Sequence, residues 1–145
     1  MLKSGRQVLA VLAAAALAVV LTPAGIASAA QHCHLAAATN KWGCNGSDGI
    51  RGDSDVIGVK LFTGTDYTRD SMTIWVPRPC PDDGNVNWFI SIKGTAWQNK
   101  VRSVQAWGNC WAWLYTTETH REGPYKGNDP DVTYVGNYTM KIGLS

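Results

Sequence analysis

Three histidines and two phenylalanines are few for a chain of 145 residues. Glutamate occurs only as Glu118 and Glu122, and no apolar run after residue 30 is long enough to span a membrane. Each shortage excludes something. An enzyme needs converging acids, bases or nucleophiles, and His32 and His34 stand apart from the one dense cluster, Glu118-Thr119-His120-Arg121-Glu122. That cluster resembles the acid–base set of a small secreted nuclease, yet no basic groove accompanies it, so a non-enzymatic protein is the expectation. No window shows several turns of capped helical periodicity, which excludes a helical bundle.

Charge of one sign is also missing. Residues 1–30 have the layout of a signal peptide: Lys3 and Arg6, an uncharged run from Val8 to Leu21, a break at Pro23 and Gly25, and small residues Ala27-Ser28-Ala29. Cleavage is expected after Ala29 or Ala30, placing the protein outside the cell. With Lys3 and Arg6 gone, the 13 basic residues fall to 11 against 11 acidic ones. A neutral chain has no electrostatic footprint for nucleic acid or an anionic membrane, and neither is an expected partner.

What remains is one domain by length, short enough for covalent help to matter. Cys33, Cys44, Cys80 and Cys110 are an even set in an exported chain and imply two disulfides. Three pairings are open. The preferred one is Cys33–Cys44 as a local clasp and Cys80–Cys110 tying a loop to the tryptophan-rich centre, each worth about 2–4 kcal/mol. His32-Cys33-His34 could alternatively ligate a metal, but oxidised sulfur is no thiolate and no second ligand cluster accompanies it. No metal and no cofactor are expected.

Residues 31–56 read as a loop-rich arm held by its cysteines, with Arg51-Gly52-Asp53 as an ordinary polar turn. From Val56 onward short strands alternate with turns: Val56–Phe62, Ser71–Val76, Val86–Lys93, Val101–Trp107, Cys110–Tyr115, Val132–Val135 and Tyr138–Ile142. Three prolines, Pro77, Pro79 and Pro81, forbid a ladder after the second strand. Strands of this number and spacing predict an all-β fold.

The chain also matches itself. Val59-Lys60-Leu61-Phe62-Thr63 lies over Ala112-Trp113-Leu114-Tyr115-Thr116, and Lys100-Val101 over Lys141-Ile142. Two such units, neither able to bury its own sheet face, would pack as one β-sandwich. In this register the chain resembles the βγ-crystallin superfamily, over residues 57–145. That family opens each Greek key with an aromatic–four–aromatic–any–Gly hairpin. Phe62 and Tyr67 keep both aromatics, with Arg69 in the glycine's place. Tyr115 keeps the first, His120 takes the second, and Gly123 comes one place late. The family's later Asn/Asp motif falls on Gln98-Asn99-Lys100-Val101-Arg102-Ser103. The resemblance implies two Greek-key units in a disulfide-stabilised sandwich and the small bacterial branch of metalloproteinase inhibitors and killer-toxin-like proteins. Calcium-binding members use oxygens of the later motif. Here Gln98 and Arg102 depart from it, leaving Asn99 and Ser103 as weak calcium ligands.

The repeat register sends Ala112 and Leu114 inward and Trp111 and Trp113 outward, with Trp107 near their edge. The arm is expected to fold over this tryptophan strip; left bare, the strip would stack on sugar rings or anchor a protein. Two binding surfaces follow. One is the strip of Trp107, Trp111 and Trp113, suited to a cell-wall polysaccharide or an antimicrobial role. The other is the proline-braced loop carrying Pro77, Arg78, Pro79, Pro81, Asp82 and Asp83, suited to a secreted protease as an inhibitory loop. A structural or stress-related secreted protein without ligand is the third reading. The chain is expected to be monomeric.

Overall fold

Val59 and Leu61 of the strand Val56–Phe62 are completely buried, and this strand, irregular at Gly58, anchors the first of two sheets. The computed structural model describes residues 28–46 and 48–145, so the signal peptide expected over residues 1–30 lies almost entirely outside the described residues. The strands are β1 (His32–Ala36), β2 (Lys41–Cys44), β3 (Val56–Phe62), β4 (Ser71–Val76), β5 (Trp88–Ser91), β6 (Ser103–Ala106), β7 (Ala112–Tyr115), β8 (Arg121–Tyr125), β9 (Asn128–Asp129) and β10 (Lys141–Leu144). One short helical turn, α1 (Thr133–Gly136), precedes β10.

Six strands form one sheet in the order β2-β1-β4-β3-β6-β9, and four form the other in the order β5-β10-β7-β8. The first key is β3 to β6 and the second β7 to β10. Each key sends its third strand to the other: β5 pairs with β10, and β9 with β6. The fold is all-β, two interlocked Greek keys stacked as a sandwich. Between the sheets lie Val59, Leu61, Ile74, Val76, Ile90, Val104, Ala112, Leu114, Ile142 and Leu144, each at most 1% exposed. Burying an aliphatic side chain of this size contributes about 1.5–3 kcal/mol, so the seam between the keys is the main source of stability.

The repeat is real, but its second half sits in another register. Phe62 pairs with Ser103 and the equivalent Tyr115 with Lys141, so Ser103 corresponds to Lys141 and Val104 to Ile142. The matching bonds Arg102 N–H to Phe62 O (2.8 Å) and Met140 N–H to Tyr115 O (2.9 Å) agree. The sequence alignment had set Val101 over Ile142. It was misled because Val101 is apolar for a separate reason: it is buried beneath α1, where a Cβ on Gly136 would run into its carbonyl. Gly58, aligned with Trp111 as a solvent-facing position, is instead buried at a β-bulge, its Cα facing Leu144 and Val76.

The corrected register explains how each key holds its first hairpin. Buried Ser103 donates its hydroxyl to Gly64 O (2.7 Å) and accepts the Tyr67 N–H (3.0 Å). Phe62 and Tyr67 meet edge to face at 5.7 Å. Arg69, where the family has glycine, keeps the left-handed backbone that glycine favours, at φ 65°. In the second key Lys141 takes over from Ser103, donating from Nζ to Glu118 O and to the Glu118 carboxylate, both at 3.0 Å.

Four expectations are corrected. The arm is not all loop: β1 joins β4 in parallel, β2 pairs back on β1, and Cys33 and Leu35 are buried. Val132–Val135 is not a strand. Its Val132, Val135 and Gly136 are buried at helical spacing, and the segment closes as α1. Strand β8 went unread because Glu122-Gly123-Pro124 looks like a turn; as an edge strand it tolerates a proline. The dipeptide β9, in a polar stretch read as a turn, is a strand only because β6 offers it a partner.

Two outcomes test this packing. Ser103→Ala strands a buried carbonyl and a partly buried N–H, and should cost about 1–3 kcal/mol in urea unfolding. The second concerns His34, whose Nδ1 accepts from the Trp75 indole at 3.2 Å. Burial, followed by the charges of Lys60, His32 and Arg51, lowers its pKa below the ordinary 6.5. Because the folded pKa is the depressed one, its contribution is full above 6.5 and is lost as pH falls below that value towards the folded pKa. The urea midpoint should drop between about pH 8 and about pH 5, and His34→Gln should flatten that part of the profile.

Candidate functional site

The two disulfides are Cys33–Cys44, between β1 and β2, and Cys80–Cys110, between the proline-rich loop and the turn before β7. The second lies at the centre of a closely held loop. Cys80 N–H donates to Gly108 O at 2.9 Å, and the Asn109 side-chain amide donates to Cys80 O at 3.2 Å. Beyond the cysteine, Asp83 accepts the Asn85 N–H at 2.9 Å, closing a turn in which Gly84 lies against the Trp111 ring. That bond, together with the Asn85 side chain, holds the Asp83 carboxyl below the usual carboxylate range. Asn87 N–H donates to Leu144 O at 2.8 Å and returns the chain to the sheet. Around these fixed points Arg78, Pro79, Pro81, Asp82 and Asp83 are all exposed. Trp107, half-exposed at 50%, projects from the same turn that carries Gly108.

Trp111 and Trp113 face outward on the four-stranded sheet, as alternation with buried Ala112 and Leu114 requires. The arm does not cover them, because it extends the other sheet beside β4. Cations cover them instead. The Arg121 guanidinium carbon lies 3.7 Å from the Trp113 ring centroid, and Lys126 Nζ lies 3.5 Å from that of Trp111. The Trp113 indole N–H is taken by Ser145 Oγ at 3.0 Å. A ring whose face and N–H are both occupied is a poor stacking platform, so the three tryptophans do not make one continuous strip. Sequence reasoning missed Arg121 and Lys126. The signal lay in the cations flanking the unread strand β8, beside the tryptophans of β7.

The remaining candidates are scattered. His32 Nδ1 bonds Ser71 Oγ at 2.8 Å, His34 bonds Trp75, and Cys33 is oxidised, so the three side chains serve the arm's packing. Among the described residues no group of three His, Cys, Asp or Glu side chains is placed to hold a metal. Asn99 is exposed at φ 63°, whereas the Ser103 hydroxyl is buried and engaged in its hairpin bonds. By the corrected register Asn137 and Lys141 fill the matching positions in the second key, and the lysine there opposes a cation. Arg51 of the Arg-Gly-Asp turn sits over the Trp75 ring at 4.9 Å. Within the acidic cluster, His120 Nε2 lies 3.2 Å from Glu122 Oε1, while Glu118 is turned away to Lys141.

No protein-family model and no curated protein matches the chain. A solved structure is similar in fold. It is the N-terminal domain of protein S, 14% identical, covering 61% of this chain and 94% of its own, with a TM-score of 0.44. The Greek-key description rests on the strand exchange above and is independent of that likeness.

The cation caps are testable by fluorescence. Arg121→Ala and Lys126→Ala should each increase acrylamide quenching of tryptophan emission and cost about 0.5–1 kcal/mol, the usual size of an exposed cation–π contact. Unchanged quenching in both variants would show that the rings are shielded by something else.

Proposed function

We propose that the protein is a secreted, non-enzymatic binding protein that inhibits a peptidase through the Pro77–Asn85 loop. The observation that carries this reading is a segment with exposed side chains whose backbone is fixed from several directions. A disulfide, three backbone or amide bonds and an aspartate-capped turn hold it, and Trp111 braces its underside.

Rigidity is what such a loop needs. Ordering a flexible segment in a partner's cleft costs about 0.5–1.5 kcal/mol for each immobilised side chain, and a loop ordered beforehand avoids most of that cost. Prolines at 77, 79 and 81 remove further freedom and withhold N–H groups that a sheet edge would use. Arg78 is the natural anchor, a long exposed side chain two residues before the disulfide. Trp107 would flank the contact, since its turn bonds the loop's base. The resemblance to small bacterial inhibitors directs the search first to secreted metallopeptidases. Two disulfides suit an oxidising, extracellular setting.

The test is inhibition of purified secreted metallo- and serine peptidases by the disulfide-bonded protein. Arg78→Ala should weaken inhibition of the responding enzyme strongly. Asp83→Ala, which only loosens the turn, should weaken it about tenfold, equivalent to about 1.4 kcal/mol. If no enzyme in the panel is inhibited, or if the loop is cleaved as an ordinary substrate, the proposal fails.

A further inference from the structure

The β7–β8 hairpin and the α1 turn form the two sides of an open cleft of about 360 Å³, a size typical of small-ligand sites. Its most conspicuous side chains are Tyr134 and Tyr138, 87% and 63% exposed. They follow from how α1 is built. Val135 and Gly136 must face the core, so Tyr134 and Tyr138, a helical turn apart, are left in solvent. Nothing in the packing requires tyrosine at either position.

Opposite them, on the hairpin, stand Thr116, His120 and Glu122. The His120–Glu122 contact at 3.2 Å orients the carboxylate across the cleft's wall. Both sides are held from behind. Thr117 Oγ1 accepts the His120 N–H at 2.9 Å and Lys141 pins Glu118 O, while buried Thr139 donates its hydroxyl to Val135 O at 3.0 Å.

We propose that this cleft binds a neutral saccharide, with Tyr134 and Tyr138 as the stacking surface and Glu122, His120 and Thr116 as hydrogen-bonding partners. Sugar rings present an apolar C–H face and a rim of hydroxyls. Two exposed tyrosines beside an oriented carboxylate, an imidazole and a hydroxyl match both. No Lys or Arg side chain is among the described residues lining the cleft, which disfavours a phosphate or an acidic sugar. A peptide anchor is disfavoured as well: Val135 supplies the only aliphatic lining, and a hot-spot side chain needs a deep apolar pocket. Tyrosines thus take the role that Trp111 and Trp113 lose to their cation caps. The cleft belongs to the second key and shares no residue with the proline-braced loop, so the two proposals stand or fall separately.

The experiment is retention of the purified, disulfide-bonded protein on insoluble chitin, cellulose and β-glucan. Wild type should be retained on at least one, and the Tyr134→Ala/Tyr138→Ala double variant should bind it at least about tenfold more weakly. Glu122→Gln should weaken binding several-fold. Near-UV circular dichroism should be unchanged, since both tyrosines are exposed, and peptidase inhibition by the double variant should equal that of wild type. As a measurement independent of substitution, a soluble oligosaccharide of the retaining polymer should shift the Tyr134 and Tyr138 ring resonances first in wild type. Retention on none of the three polymers, equal retention of the double variant, or resonance shifts confined to other residues would each overturn the proposal.

Discussion

The exchange of third strands is the constraint on which the rest depends. Strand β5 belongs in sequence to the first key but finds its hydrogen bonds on β10; β9 belongs to the second and finds its partner in β6. Neither key can therefore complete a sheet alone, and neither can bury its apolar face alone. Ile90 must meet Ile142 and Leu114 in one sheet, while Val104 meets Leu61 in the other. A single cooperative unit results, in which weakening one key exposes the other. The register is correspondingly strict, because a one-residue slip in β6 or β10 would turn Val104 or Ile142 into solvent.

The constraint also fixes what the outer faces can do. Inward residues are committed to the seam, so recognition has to come from outward side chains and from loops. On the outer face of β7 the aromatic surface is already satisfied. Arg121 and Lys126 lie on Trp113 and Trp111 at distances where the attraction to the ring face is strong, and the indole N–H of Trp113 has its acceptor. Tryptophans here act as a brace, Trp111 under the proline loop and Trp113 under the β7–β8 pair. Exposed aromatic area lies elsewhere, on Trp42, Phe89, Trp107, Tyr134 and Tyr138.

Much of the fold was legible because it follows from period and repetition. Alternation located β3 and the prolines after Val76 bounded β4, both to the residue, and the self-match of Val59–Thr63 with Ala112–Thr116 made β3 and β7 the equivalent first strands of the two keys. What was illegible depends on partners distant in sequence. A dipeptide such as Asn128-Asp129 becomes a strand only when β6 lies beside it, and Arg121–Tyr125 is a strand despite its proline because it is an edge. The arm's strands have the same cause: β1 is ordered by β4 and clasped by Cys33–Cys44. At the candidate sites, the outward direction of Trp111 and Trp113 could be read from alternation, but their capping could not, since the cations flank a strand that carried no strand signal. Tyr134 and Tyr138 stayed hidden for a related reason. Val132–Val135 is β-branched and apolar enough to imitate a strand, and a strand would have placed them differently.

The two proposed surfaces lie where the keys stop resembling each other. In the second key β8 passes to β9 through Lys126 and Gly127 alone, while in the first the same connection is the whole Pro77–Asn87 segment with its disulfide. The first hairpin is pinned by a buried hydroxyl; the second is pinned by Lys141, a longer side chain that reaches to Glu118. In the second key an open cleft lies between the β7–β8 hairpin and α1, whereas the first hairpin packs Tyr67 back onto Phe62. The pseudo-symmetric seam requires equivalent residues only at inward positions. Loops and hairpin tips are released from that requirement, and both proposed surfaces lie there.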